Sequence, residues 1–322
     1  FMNQAQQESV SDVLLLTNAA ANRGRAEAVG HEVELSLRRT GFVVQHELPP
    51  DPAATEAIVR DAVQNERRVV AVGGDGFIHH IIQQCAETTT TLGIVPAGTG
   101  NDLAFGLNLA TDLDTAVAAA VGPSQACDVL KFEDDGGRIR YGATIATAGF
   151  SVSVNVKAEE LSWPRGPRRY TVATLMKLVG LRRYELELDV DGCTLDGRCL
   201  MVAIANTRAF GGGMQIAPAA GALTGNAEIV VIRDSSALTL LRMLPKTFSG
   251  SHVGHPSIEV MSGRHVRLHL KEIDASEPCR MRSDGEDVGS LPQTVTVVAG
   301  GLQIAGVSRT QSASCEARDT NE

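Results

Sequence analysis

An N-terminal α/β domain built on a parallel sheet, followed by a C-terminal β-rich sandwich domain, is the fold class this sequence predicts. Three observations carry the prediction. Short apolar runs alternate with helix-period segments from Asp12 to Val121, the pattern of successive strand–helix units in a parallel sheet. Beyond that point, turn signals such as "EDDGGR", "DVDGC" and "SDGEDVG" separate β-rich runs, the pattern of antiparallel hairpins. Two successive strands of the first half end in glycine-rich loops.

"DVLLLTN" (Asp12–Asn18) is a continuous apolar run of the kind a strand buried on both faces requires. Val29, Val33 and Leu37 then recur at i, i+4 and i+8, with Gly41 placed to end the helix. "FVVQHEL" is the second strand. Asp51 and Pro52 form an N-cap and first-turn pair for a helix that turns Ile58, Val59, Ala62 and Val63 to one side. "RVVAV" (Arg68–Val72) is the third strand, Ile78–Cys85 a helix, and "LGIVP" (Leu92–Pro96) the fourth strand. An Ala-rich helix around Leu113–Val121 closes the series. "RIRYGATIATAGF", "LMVAIAN", "AEIVVI" and "QTVTVVAG" are strands of the second half. The expected division is 1–130, 131–307 and a disordered polar tail at 308–322.

Composition excludes several classes of function. A net charge of −9 and 4% aromatic residues argue against a nucleic-acid surface. The six cysteines form no C-x-x-C pair, so reduced cytoplasmic thiols are expected in place of a zinc or disulfide framework. The first residues show no basic region and only "VLLL" as an apolar core, so neither a leader nor a transmembrane segment is expected.

The glycine-rich loops are "GGDG" (Gly73–Gly76) and "PAGTGND" (Pro96–Asp102). In an open parallel sheet, ligands bind beyond the carboxyl ends of the strands. Glycines there let backbone N–H groups approach an anion, and the following helix adds its positive end. An acid among phosphate-binding amides repels the ligand unless a cation lies between them. Asp75 and Asp102 therefore suggest a nucleotide bound with Mg²⁺, which uses few carboxylates. The competing reading of each loop is a tight turn. Neither loop has Walker A or dinucleotide-fingerprint spacing.

The two loops together resemble the bacterial diacylglycerol-kinase-like lipid kinases, related in fold to sphingosine kinases and NAD kinases. "ACDVLKF", "FGGGMQIAP" and "RMRSDGEDVGSLPQTVTVVAGGLQI" extend the likeness over residues 12–307. The resemblance implies ATP on the N-terminal domain and a lipid hydroxyl approaching from the cleft between domains. It implies that Asn18, Gly73, Gly74, Asp75, Gly76, Thr99 and Asn101 surround the nucleotide. Asp75, Asp102 and Asp128 would position Mg²⁺, largely through water. Asp284 and Glu286 match the motif that supplies the base for the acceptor, Asp284 being the first choice and Glu286 the second. By spacing alone, "SDGED" is a hairpin turn.

The sequence departs from that family's pattern at several points. Phe77 and His80 stand where the family has Thr and Glu, and the lost hydroxyl would have lain near the phosphates. Thr224 stands where an acid helps hold an accessory Mg²⁺, and the first loop is "NAAANRG". Adjacent His79 and His80 point about 100° apart on a helix, so core or surface histidines are a better reading than a metal pair. "FGGGM" is either a lid or a glycine-rich β edge. Between Arg165 and Arg183 there are six basic residues and no acid. Val172, Leu175, Met176 and Val179 form a helical stripe there, with Trp163 just before it. An island of this kind suits the surface of an anionic membrane, or equally a helix packed on the β domain. The expected function is an ATP- and Mg²⁺-dependent lipid kinase, cytoplasmic and peripheral at the membrane. A soluble-substrate kinase of the NAD-kinase type and a weakened lipid- or nucleotide-binding regulator are the alternatives.

Overall fold

A computed structural model describes residues 12–18, 25–161, 163, 168–273 and 278–308, without the side chains of Arg25, Arg168 and Thr171. The loop after Asn18, Arg165, the Arg168 side chain and the expected disordered tail from 309 onward lie outside these residues.

The N-terminal half is the predicted series. It runs β1 (Asp12–Thr17), α1 (Arg25–Arg39), β2 (Val43–Glu47), α2 (Pro52–Gln64), β3 (Arg68–Gly73), α3 (Asp75–Cys85), β4 (Thr91–Pro96), α4 (Asp102–Gly106) and α5 (Leu113–Ala120). β1 pairs in parallel with β2 and β3, and β3 with β4. The period-2 geometry of a strand divides β1 between two cores. Leu14 and Leu16 face α2 and α3, while Val13 and Leu15 face α1 and α5. The local signals act as their chemistry dictates. Asp51 Oδ1 accepts from the Ala54 N–H at 2.8 Å with Pro52 in the first turn, and Gly41 leaves α1 at φ +94°. The short helix α4 was not expected from periodicity.

The second half comprises β5 (Ser124–Asp134), β6 (Ile139–Gly142), β7 (Ile145–Gly149), α6 (Phe150–Glu160), α7 (Arg168–Leu178), β8 (Tyr184–Val190), β9 (Cys193–Ala205), β10 (Ala227–Arg233), α8 (Ala237–Thr247), β11 (Ile258–Gly263), β12 (His265–Glu272), β13 (Arg280–Ser283), β14 (Glu286–Ser290) and β15 (Gln293–Ala305). Its pairings are antiparallel, and one face of these strands buries Phe132, Leu186, Leu188, Ile204 and Leu268 together. The other face of β7, β9 and β10 is covered by α8 and the segment around Ile216. The strand-like run ending at Phe150 turns at Gly149 (φ +90°) into α6, whose buried residues Ser151, Val154 and Ala158 have helical spacing.

The two halves share one sheet. β15 pairs with β12 and β5 in the C-terminal half, then runs on to lie parallel to β4 through Gln303 and Ile304. The chain's last strand therefore ties the N-terminal parallel sheet to the sandwich. Asn206 reinforces the junction from a fully buried position, donating to the carbonyls of Asp128 and Ala143 at 2.8 Å each.

Candidate active site

Gly73 ends β3, and Gly74, in extended backbone, leads into α3 with Asp75 as its first helical residue. The second loop folds directly against this turn. Ala97 N–H donates to Gly73 O at 2.9 Å, and a Cβ placed on Gly98 would stand 2.5 Å from Gly74 Cα. No side chain fits between the loops, which is why both are glycine there. Asn101 adopts φ +56° and closes the second loop, its Oδ1 accepting from Gly98 N–H at 3.0 Å and its Nδ2 donating to Gly98 O at 3.2 Å. Thr99 and Gly100 are exposed at the rim. Asn18 lies at the same end of the sheet, its N–H donating to Val72 O at 3.1 Å.

Three carboxylates come together beside these loops. Asp75 Oδ1 accepts from Leu103 N–H at 3.3 Å. Burial pushes the Asp75 carboxyl up to about 6, helped by the charges of Asp102 and Asp284. Asp102, first in α4, accepts from Gly211 N–H at 2.8 Å and Gly212 N–H at 3.3 Å. Burial raises it too, against those two bonds and with the Asp284 charge. The "FGGGM" segment is thus a contact between domains: Phe210 and Met214 bridge antiparallel, and Gly211, Gly212 and Gly213 all take positive φ. Two half-buried carboxylates that repel each other suit a hard divalent cation such as Mg²⁺.

Asp284 occupies the left-handed position (φ +55°) of the β13–β14 turn, and its side chain is 4% exposed. Oδ1 accepts from Thr144 N–H at 2.8 Å and Thr144 Oγ1–H at 2.5 Å. Oδ2 meets Ala143 N–H at 3.1 Å and His79 Nδ1 at 3.0 Å. Burial pushes this carboxyl up, but the His79 and Thr144 donors outweigh it and hold it below the usual range. Glu286 turns the other way. A Cβ on Gly76 would come within 2.8 Å of Glu286 Oε1, so this carboxylate lies over the GGDG turn. Among the described residues it accepts no hydrogen bond.

Other expected residues fall elsewhere. The Asp128 carboxylate accepts from Gly225 N–H at 2.6 Å and Gly300 N–H at 2.9 Å, so its oxygens hold the loop at Gly225 and the irregular stretch of β15 at Gly300. The Thr224 hydroxyl is turned to the Gly221 and Asn226 carbonyls at 3.0 and 2.8 Å. These residues do not form a carboxylate pair, so the accessory metal site that the family resemblance implies does not fit this segment. Phe77 is 9% exposed and belongs to the N-terminal core; a Cβ on Gly73 would lie 2.7 Å from its ring. It supports the loop from below. His80 faces Glu56 of α2 at 3.4 Å. Sequence reasoning missed His79, Thr144, Gly211 and Gly212. Only His79 carried a signal, one helical turn after Asp75.

Fold and site together define a two-domain phosphotransferase with its acids at the domain junction. Residues 12–132 match the model of the diacylglycerol kinase catalytic domain, and residues 144–306 that of the YegS C-terminal NAD kinase beta sandwich-like domain. The chain is 31% identical over 305 residues to a diacylglycerol kinase of Mycobacterium tuberculosis, covering 94% of this chain and 97% of that one. It is 26% identical over 288 residues to a probable YegS-like lipid kinase of Pectobacterium atrosepticum, covering 87% and 90%. A diacylglycerol kinase crystal structure from Bacillus anthracis superposes with a TM-score of 0.74 at 16% identity, over 92% of this chain and 96% of that one. The chain belongs to the bacterial diacylglycerol-kinase-like lipid kinase family, and is a phosphotransferase with an alcohol acceptor.

Two predictions follow from the site's energetics. The folded protein holds the Asp75 proton up to about pH 6, whereas the unfolded chain releases it near 3.8. Stability from this group therefore falls as pH rises between those values and is absent at neutral pH. Asp75→Asn should cut turnover by orders of magnitude while raising the metal-free melting temperature by a few degrees at pH 7.5; calorimetry with and without Mg²⁺ checks both. Phe77→Thr should cost about 3 kcal/mol through the cavity under Gly73, read by urea unfolding. Tighter nucleotide binding in that variant would show that the ring is a defect and not a support.

Proposed function

We propose that this lipid kinase transfers a phosphoryl group from ATP, with Mg²⁺, to a hydroxyl of diacylglycerol or a related lipid at an anionic membrane surface. The observation that carries the reading is the joining of two parts. The glycine loops with Asp75 and Asp102 supply a phosphate and cation site, and the hairpin of the other domain lays Glu286 over it. The N–H groups of Gly73–Gly76 and of the 97–101 loop would hold the phosphates. Asp75 and Asp102 would hold Mg²⁺, which when bound neutralises charge on the transferred group.

The acceptor hydroxyl must lose its proton to a carboxylate within hydrogen-bond reach. A carboxylate offers about four lone-pair sites, and Asp284 has four donors on them. Among the described residues, none donates a hydrogen bond to the Glu286 carboxylate. We therefore assign proton acceptance to Glu286 and anchoring of the hairpin to Asp284, reversing the order expected from the sequence. Burial of Phe77 in the core supports an active enzyme over a weakened regulator.

The membrane face is argued from exposed apolar residues. On α8, Leu238 and Leu241 are exposed one turn apart, with Phe248 following the last turn. Arg242 and Lys246 lie between them, and no acid occurs from Ala237 to Phe248. Lipid docking uses this pairing of apolar ridge and basic rim. The ridge adjoins the site: Gln215 N–H donates to Thr247 O at 2.8 Å, just beyond the Gly211–Met214 turn that caps Asp102. Trp163 and Val179 are also largely exposed, at 80% and 84%. Arg182 and Arg183 contribute less than the sequence suggested, because Glu272 and Asp234 pair with them at 3.0 and 2.8 Å.

Labelled-ATP turnover with a mixed lipid extract tests the function: a labelled lipid product is expected, and label found only on soluble acceptors would overturn it. Glu286→Gln should lower transfer roughly 10²–10⁴-fold with nucleotide affinity unchanged, whereas Asp284→Asn should also lose stability. Full activity in Glu286→Gln would return the base to Asp284.

For the membrane, Leu238→Ser with Leu241→Ser and Phe248→Ser should weaken binding to phosphatidylglycerol vesicles at least tenfold, since each apolar side chain withdrawn from lipid costs on the order of 1 kcal/mol. Arg182→Gln with Arg183→Gln should change it less. The reverse ranking would move the docking face back to the basic segment.

A further inference from the structure

His79 is 3% exposed and buried where the two domains meet. Its Nδ1 lies 3.0 Å from Asp284 Oδ2 across a sequence separation of 205 residues. The surrounding bonds hold its neighbours in place. Tyr141 N–H donates to Gln83 Oε1 at 3.0 Å, which orients the Gln83 amide. Gln83 Nε2 then donates its two hydrogens to Tyr141 O at 2.8 Å and to His79 O at 3.1 Å. An ionised carboxylate only accepts, so the hydrogen between His79 and Asp284 is on Nδ1, aimed at Oδ2.

Asp75, His79 and Gln83 are spaced i, i+4 and i+8 on α3, so they share one face of the helix. Each fixes a different part of the active site. Asp75 belongs to the nucleotide and cation side. His79 bonds the turn that carries Glu286. Gln83 clamps the backbone of β6 at Tyr141, immediately before the Ala143 and Thr144 amides that also bond Asp284. One rigid helix therefore sets the spacing between donor and acceptor machinery.

We propose that His79 is a positioning residue for phosphoryl transfer, holding Asp284 and thereby the β13–β14 turn at a fixed distance from Asp75, so that Glu286 stays over the GGDG turn. His79 touches no reacting atom in this scheme. It acts through a hydrogen bond, so the property that matters is a donor at the Nδ1 position, not the ring or its charge. An Asn side chain can place an N–H near that point, and a Leu side chain fills similar space without one.

The kinetic arm of the test rests on the lipid-kinase reading, and the exchange arm does not. His79→Leu should lower kcat for lipid phosphorylation at least 30-fold while the Kd for ATP stays within twofold, and His79→Asn should recover most of the loss. In hydrogen exchange, the amides of residues 281–289 and of Ala143 and Thr144 should exchange faster in His79→Leu than in the parent, with His79→Asn close to the parent. Parent-like turnover in His79→Leu, or an Asn variant as impaired as the Leu variant, would overturn the proposal. If the parent phosphorylates no lipid, the lipid reading fails and the exchange arm alone decides the anchoring. Unchanged exchange in His79→Leu then overturns it, and faster exchange at those amides supports it.

Discussion

Three carboxylates, the half-buried Asp75 and Asp102 and the buried Asp284, lie within one another's electrostatic reach at a domain junction. Burying like charges together is costly, and each neighbouring feature answers that cost in its own way. Asp284 is surrounded by donors and stays ionised. Asp102 receives two glycine N–H groups from the opposite domain. Asp75 has the backbone N–H groups of Leu103 and Asn101, which do not offset burial and the neighbouring charges, so its carboxyl is pushed up to about 6, marking a place where a cation would relieve strain. The acids closest to the glycine loops are the least satisfied by the protein itself.

The same arrangement explains why the two domains are not independent modules. Asp102 needs Gly211 and Gly212, Asp284 needs His79 and Thr144, and β15 pairs with strands of both halves. Moving one domain against the other would leave buried charges without donors, at a cost of several kcal/mol per group. Stability and function are therefore opposed at Asp75 and aligned at Asp284.

At the surface, the exposed ridge of α8 is joined by hydrogen bonding to the turn that caps Asp102. A membrane held by Leu238, Leu241 and Phe248 would lie on an element connected to the site, giving a lipid a short route to the cleft. In that reading the basic segment before β8 would play a smaller part, because Arg182 and Arg183 are paired with Glu272 and Asp234.

The sequence by itself determined the parallel sheet, its order of elements, the Asp51 cap and the two glycine loops. These depend on apolar periodicity and on backbone angles or close approaches that only certain residues permit, and both are local properties. It also put Asp75 and Asp102 at the two glycine loops and Asp284 and Glu286 in one hairpin. Tertiary structure alone decided which acids lie together, that Asp128 bonds Gly225 and Gly300, that Phe77 is core, and that Arg182 and Arg183 are paired. It also made α6 a helix, where burial against the β sheet outweighed weak local signals. Each of those outcomes depends on partners far away in the chain, as His79 and Asp284 are. The energy of a buried charge is set by what folding brings beside it.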